Sequence, residues 1–171
     1  MVKKIVGTGV LLVLALALQA GVKMYTLKSP DGKVKLEVTA GQGIAYSLFY
    51  DGRLLLKPSR IALHTDLPEA DHWENIRITG TKQRHVSETV QAPFYRVKEF
   101  GIDCNELELR LNNGFSLLMR AYNDGMAYRF VAGRKGEMTV VEERAEFNFA
   151  DDFEAYIPYS TNPKDPWNMA F

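Results

Sequence analysis

The sequence predicts an all-β fold of antiparallel strands, and three observations lead there. After the first twenty residues helical periodicity is hard to find, short segments of alternating apolar and polar residues recur, and Gly, Asn and Asp punctuate them every eight to twelve residues. Turns at that spacing suit a sandwich or barrel.

The first twenty of the 171 residues stand apart. Lys3 and Lys4 supply a positive start, Val10 to Leu18 an apolar run, and Ala17 or Ala20 a small residue for cleavage, which together read as a secretory signal peptide over residues 1–20. The run of about ten to fourteen apolar residues is short for a membrane span, which needs ~20. No cysteine lies near residue 20 to accept a lipid. Secretion, most simply to a bacterial periplasm, is expected, with no membrane attachment after cleavage.

The remaining elements follow in order. Pro30-Asp31-Gly32 separates Met24–Leu27 from Val34, Leu36 and Val38, which alternate with Lys33, Lys35, Glu37 and Thr39 as in a strand with one wet face. Ile44, Tyr46, Leu48 and Tyr50 lead into Asp51-Gly52 and then Leu54–Leu56, a strong two-residue hairpin signal. The stretch Leu67–Trp73 breaks the pattern and reads as an exposed loop. Leu107, Leu109 and Leu111 alternate with charged residues before Asn112-Asn113-Gly114, after which Phe115, Leu117, Met119 and Ala121 take one face. Asn123-Asp124-Gly125 turns that strand into Met126–Val131, with left-handed backbone expected at the turn. A loop at Gly133–Gly136 then leads to a segment from Met138 through Phe149. Beyond Tyr159 the chain is rich in Pro, Asn and Asp and stops at Phe171 without a polar tail, so it reads as the beginning of a longer polypeptide, against a native terminus that docks Phe171. The expected organisation is a signal over 1–20, one β-sandwich domain over 21–160, and a linker or continuation over 161–171.

Charge and length limit the function. The whole chain has 21 basic and 21 acidic residues; the signal holds two of the basic and none of the acidic ones, which leaves −2 and no basic footprint for nucleic acid. About 151 residues make one domain with a real core, well short of the ~250 of a (β/α)₈ enzyme barrel. Cys104, the only cysteine, has no disulfide partner and reads as a bland, half-buried thiol.

Catalytic signals are weak. Glycoside hydrolysis needs two carboxyl groups ~5–9.5 Å apart, but the adjacent pairs Glu142–Glu143 and Asp151–Asp152 point to opposite faces of a strand. His64, His72 and His85 match no metal-ligand spacing. Ser59, Ser87 and Ser116 lack a Gly-x-Ser-x-Gly elbow, and no Gly-rich loop precedes a helix. No catalytic or metal-binding residue is therefore assigned. Trp73, after the irregular loop, and Trp167, in the Pro-rich tail, are the candidate substrate-binding residues, by stacking on sugar faces; packing at a loop base or domain junction is the competing reading for both.

Several segments together resemble a known family. Ser29-Pro30-Asp31-Gly32-Lys33-Val34-Lys35-Leu36, Tyr50-Asp51-Gly52 followed by Pro58-Ser59, Ala92-Pro93-Phe94-Tyr95-Arg96, and above all the block Arg120–Phe130 are similar, in order, to the N-terminal domain of glycoside hydrolase family 97. The resemblance implies a β-super-sandwich of galactose-mutarotase-like type preceding a catalytic (β/α)₈ barrel, in secreted, calcium-dependent, exo-acting α-glycosidases that remove terminal α-linked glucose or galactose with inversion or retention. It places the catalytic carboxylates on the barrel, and the N-domain glutamate that reaches calcium shortly beyond Phe171. The expected partners are therefore an α-linked oligosaccharide and the downstream barrel of the same polypeptide. Within the block, Arg120 and Arg129 flank the turn in a way that allows cross-strand polar pairing, against a role in gripping barrel or sugar. The rival reading is a stand-alone secreted carbohydrate-binding module.

Overall fold

A computed structural model describes residues 23–94, 96–154 and 156. The expected signal over 1–20, the segment 161–171 and Trp167 lie outside the described residues. Among the described residues nine strands form: β1 Lys23–Lys28, β2 Val34–Gly41, β3 Gly43–Tyr50, β4 Arg53–Thr65, β5 Ile78–Gln91, β6 Glu99–Leu111, β7 Phe115–Tyr122, β8 Gly125–Ala132 and β9 Val140–Ala145. They make two sheets, in the orders β1-β2-β3-β4-β9 and β5-β6-β7-β8, with each neighbouring pair antiparallel. The described residues are all β and contain no helix, as the turn spacing predicts.

Alternation explains how the two sheets meet. Val34, Leu36 and Val38 of β2, with Ile44 and Tyr46 of β3, form the inner rows of the five-stranded sheet. Leu107, Leu109 and Leu111 of β6, with Phe115, Leu117 and Met119 of β7, form those of the other, and all of them are buried in one cluster. Because side chains alternate along a strand, a one-residue slip would turn these rows to solvent, so burial sets the register. Each buried Leu or Val contributes roughly 1.5–3 kcal/mol relative to exposure.

The hairpins differ in their turn chemistry. At Tyr50↔Arg53 the two turn residues Asp51 and Gly52 have φ of 49° and 81°, the doubly left-handed geometry that matches strand twist. At Tyr122↔Gly125, by contrast, none of Asn123, Asp124 and Gly125 takes a positive φ, which corrects the left-handed expectation. Asn123 instead uses its side chain: Oδ1 accepts the Asp31 backbone N–H at 3.0 Å and ties this turn to the β1–β2 turn of the other sheet. Asp31 is itself fixed by the Ser29 hydroxyl at 2.6 Å and the Lys33 N–H at 3.0 Å.

Three regions depart from the sequence reading. Leu67–Trp73 is not simply exposed: Ala70 and Trp73 are buried, as is Ile76 three residues beyond, and Leu67 packs against the core. These four residues recur every third position, so a chain whose polar residues suggest a loop lays an apolar plug between the sheets. The second departure is β5, a fourteen-residue strand that sequence alternation does not reveal, because Val86 is its one buried residue. Thirteen register pairs to β6 hold it. Finally, the Met138–Phe149 segment is a strand only over β9, which pairs with β4 rather than β8, while Phe149 bridges Leu56 on its own.

Candidate functional site

Trp73 sits where the plug meets both sheets. Its indole N–H donates to the Leu63 carbonyl at 3.1 Å, its ring lies edge-on to Phe130 at 5.2 Å and tilted to Phe115 at 6.1 Å, and 6 % of the residue stays exposed. In this arrangement the side chain packs a loop base and offers no open face.

The carboxylates are placed by strand geometry. Glu142 and Glu143 sit opposite His64 and Leu63 on β9 and face opposite ways; Glu143 accepts a hydrogen bond from the Tyr128 hydroxyl of β8 at 3.1 Å, across the gap between the sheets. Burial, and then this carboxylate, push the Tyr128 phenol up to about 12. Asp151 accepts from the Asp152 N–H and lies 3.5 Å from Arg53. His64 pairs with Asp71 at 2.7 Å and His85 with Asp103 at 3.0 Å, so the histidines are spread over separate contacts.

Five carboxyls are held below their ordinary values: Asp31 by the Ser29 hydroxyl, Asp66 by the Thr139 backbone N–H, Glu69 by Arg134, Glu146 by the Arg60 backbone N–H, and Glu106. At Glu106 burial pushes upward, but hydrogen bonds from Arg84 and Arg120 outweigh it. A general acid working near neutrality needs the opposite shift. No group of three or more His, Cys, Asp and Glu side chains among the described residues is arranged to hold a metal ion.

The Arg120–Phe130 block forms the β7–β8 hairpin. Its Arg120 Nε lies 2.8 Å from Glu106 Oε2, while Arg84 Nε lies 2.7 Å from Glu106 Oε1, so one buried carboxylate joins β5, β6 and β7. Arg120 thus makes the expected cross-strand pair, but Arg129 stands opposite Leu118 and does not share it. Beside this group Cys104 is fully buried rather than half-buried, and burial pushes its thiol up, away from the reactive thiolate.

A groove of about 1460 Å³ lies on the outer face of the five-stranded sheet. Gly41, Gly43 and Ala45 give it a low floor, because the β2–β3 hairpin places its smallest residues there. Arg60 of β4, Arg144 of the following β9 and Arg77 before β5 line it. Sequence reasoning missed this surface, since its three arginines are 17 and 67 residues apart and only the β4–β9 pairing and the Ile76–Gly41 backbone hydrogen bond of 2.9 Å bring them together.

Residues 27–168 match the family described as Glycosyl-hydrolase 97 N-terminal. Over 151 residues the chain is 40% identical to a protein named "Retaining alpha-galactosidase" from Bacteroides thetaiotaomicron, a match that covers 88% of this chain and 22% of that protein. It is 26% identical over 132 residues to a "Probable retaining alpha-galactosidase" from Streptomyces bingchenggensis, covering 75% and 20% respectively. A solved glycoside hydrolase family 97 enzyme from Pseudoalteromonas sp. strain K8 shares the fold, with TM-score 0.62 at 18% identity over 74% of this chain and 20% of that one. A solved β-arabinopyranosidase gives 0.65 at 25% identity, over 73% and 21%. The chain spans about a fifth of the length of the relatives it matches.

Proposed function

Because the chain belongs to the glycosyl-hydrolase 97 N-terminal family, we propose that it is the N-terminal β-sandwich part of an enzyme that hydrolyses terminal α-linked galactose or glucose, and that it supports the sugar site instead of performing the reaction. The 40% identity to one fifth of a retaining α-galactosidase carries this reading and favours galactose. In it the two reacting carboxyl groups come from a downstream (β/α)₈ barrel of the same polypeptide, and the sandwich forms a wall beside them. The substrate is an α-linked oligosaccharide, and the protein acts in the periplasm after loss of residues 1–20.

Calcium belongs to this reading only through the complete enzyme. Calcium takes six to eight oxygen ligands, and the described residues do not fit it, because no cluster of three acidic or imidazole side chains forms. Glu106, the most buried carboxylate, already spends its oxygens on Arg84 and Arg120. No step is assigned to the ion in this chain.

The test compares the 171-residue chain with a polypeptide extended through the downstream barrel, on aryl α-galactosides and α-glucosides. Hydrolysis by the extended polypeptide alone is the expected result. Turnover by the short chain overturns the assignment.

A further inference from the structure

We propose that the groove on the outer face of the five-stranded sheet binds an oligosaccharide bearing carboxylate or sulfate groups. The proposal rests on the glycosidase reading for its sugar and on the groove for its charge. Among the described residues three arginines line the groove, Arg60, Arg77 and Arg144, against one lining carboxylate, Glu146. Glu146 is already committed: it pairs with Arg144 and accepts the Arg60 backbone N–H at 3.0 Å. Arg60 and Arg77 have no carboxylate partner among the described residues. This differs from the opposite sheet, where Arg84 and Arg120 both close on Glu106. Guanidinium forks that face a concave surface without a protein anion suit a planar carboxylate or a sulfate from outside.

The surroundings favour a sugar over an acidic polypeptide. Interfaces between proteins draw their energy from aromatic and apolar anchors in pockets, yet among the described residues no aromatic ring lines this groove, and its lining Ile76 is buried. What lines it instead are amides. Asn112 is held in place, accepting from the Arg77 N–H at 2.8 Å and donating to the Asn75 carbonyl at 3.3 Å, and Asn148 donates to the Pro58 carbonyl at 2.9 Å. Gln42 and Asn75 also line the groove, and amide side chains offer both a donor and an acceptor to hydroxyl groups. The floor of Gly41, Gly43 and Ala45 leaves room for a ring to approach the sheet. The volume exceeds the ~300–1,000 Å³ of small-molecule pockets, as an oligomer requires.

The test is calorimetric titration of the full chain with four probes: a galacturonate trimer, a sulfated galactose trimer, a neutral galactose trimer, and a short poly-glutamate peptide. At least one anionic trimer should bind tenfold or more tightly than the neutral one, and its binding should weaken with added salt. The two anionic trimers separate carboxylate from sulfate. Arg60→Gln combined with Arg77→Gln should lower that affinity at least tenfold. Ala45→Trp, which fills the floor without changing charge, should do the same, and thermal melts establish that both variants fold. Equal binding of the neutral trimer, binding indifferent to both variants, absence of binding, or binding of the peptide alone each overturns the proposal. Hydrolysis of aryl α-galactosides by the extended polypeptide is measured separately. If hydrolysis persists while the trimers fail, the groove proposal falls and the glycosidase reading stands; absence of hydrolysis with trimer binding gives the reverse.

Discussion

The middle of the sandwich and the outer half of the β5–β6 hairpin are both antiparallel β structure, but different forces hold them. In the middle, β7 alternates regularly between buried and half-buried residues, and Leu109, Leu117 and Met119 are wholly buried. The β6–β7 pairing ends at Asn105↔Ala121, whereas the β5–β6 pairing continues from Val86↔Cys104 to Gln91↔Glu99. That extension has one neighbour per strand and little cover: Val90 and Phe100 are about two-fifths exposed, and Phe94 at its tip almost entirely. Two-stranded ribbons are marginal by themselves in water. The middle is a sheet because of what it buries, and the arm is one because of the ladder it continues.

The comparison can be broken by substitution, starting with the largest effect. Trp73→Ala removes the plug from the middle and strands the Leu63 carbonyl; a loss of about 3–5 kcal/mol in denaturant-unfolding stability is expected. A loss under about 1 kcal/mol would mean that the two sheets close without it.

Glu106→Gln acts at the boundary, where the arm leaves the sheet, and leaves Arg84 and Arg120 without their carboxylate. Since Arg84 is half-exposed, an expected loss of about 2–3 kcal/mol lies below the full cost of breaking a buried pair. The pH dependence has a definite sign. Glu106 is held below its ordinary value in the folded state, so its contribution is complete above the unfolded value of ~4.3 and fades as pH falls through the lower folded value. Stability measured from pH 6 downward should therefore fall less steeply in the variant than in the parent chain.

On the arm, Val90→Thr should change stability by no more than about 0.5 kcal/mol, and amides from Glu88 to Gln91 should exchange before those from Leu107 to Leu111. Equal protection in the two regions would erase the distinction.

The same contrast explains what was legible in the sequence. Alternation exposed β2, β3, β6 and β7 because one face of each is buried, and Asp51-Gly52 marked its hairpin because few other pairs tolerate two left-handed residues. β5 stayed hidden because an edge strand wet on both faces has no apolar rhythm to read. The plug was legible in part: Leu67, Ala70, Trp73 and Ile76 carry a three-residue spacing, masked by the polar residues between them. The groove was not legible, since its arginines come from separate elements and its floor is defined by small residues rather than by a motif.

By itself the sequence determined the all-β class, most of the hairpins and the family, since each of these depends on local patterning or on a contiguous block such as Arg120–Phe130. Tertiary structure alone decided that Trp73 is core, that Glu106 gathers two arginines while Arg60 and Arg77 pair with no carboxylate among the described residues, and that β9 crosses to β4. Those outcomes depend on which faces meet across separations of tens of residues. Burial and electrostatic pairing are properties of that meeting, and no local stretch of chain encodes them.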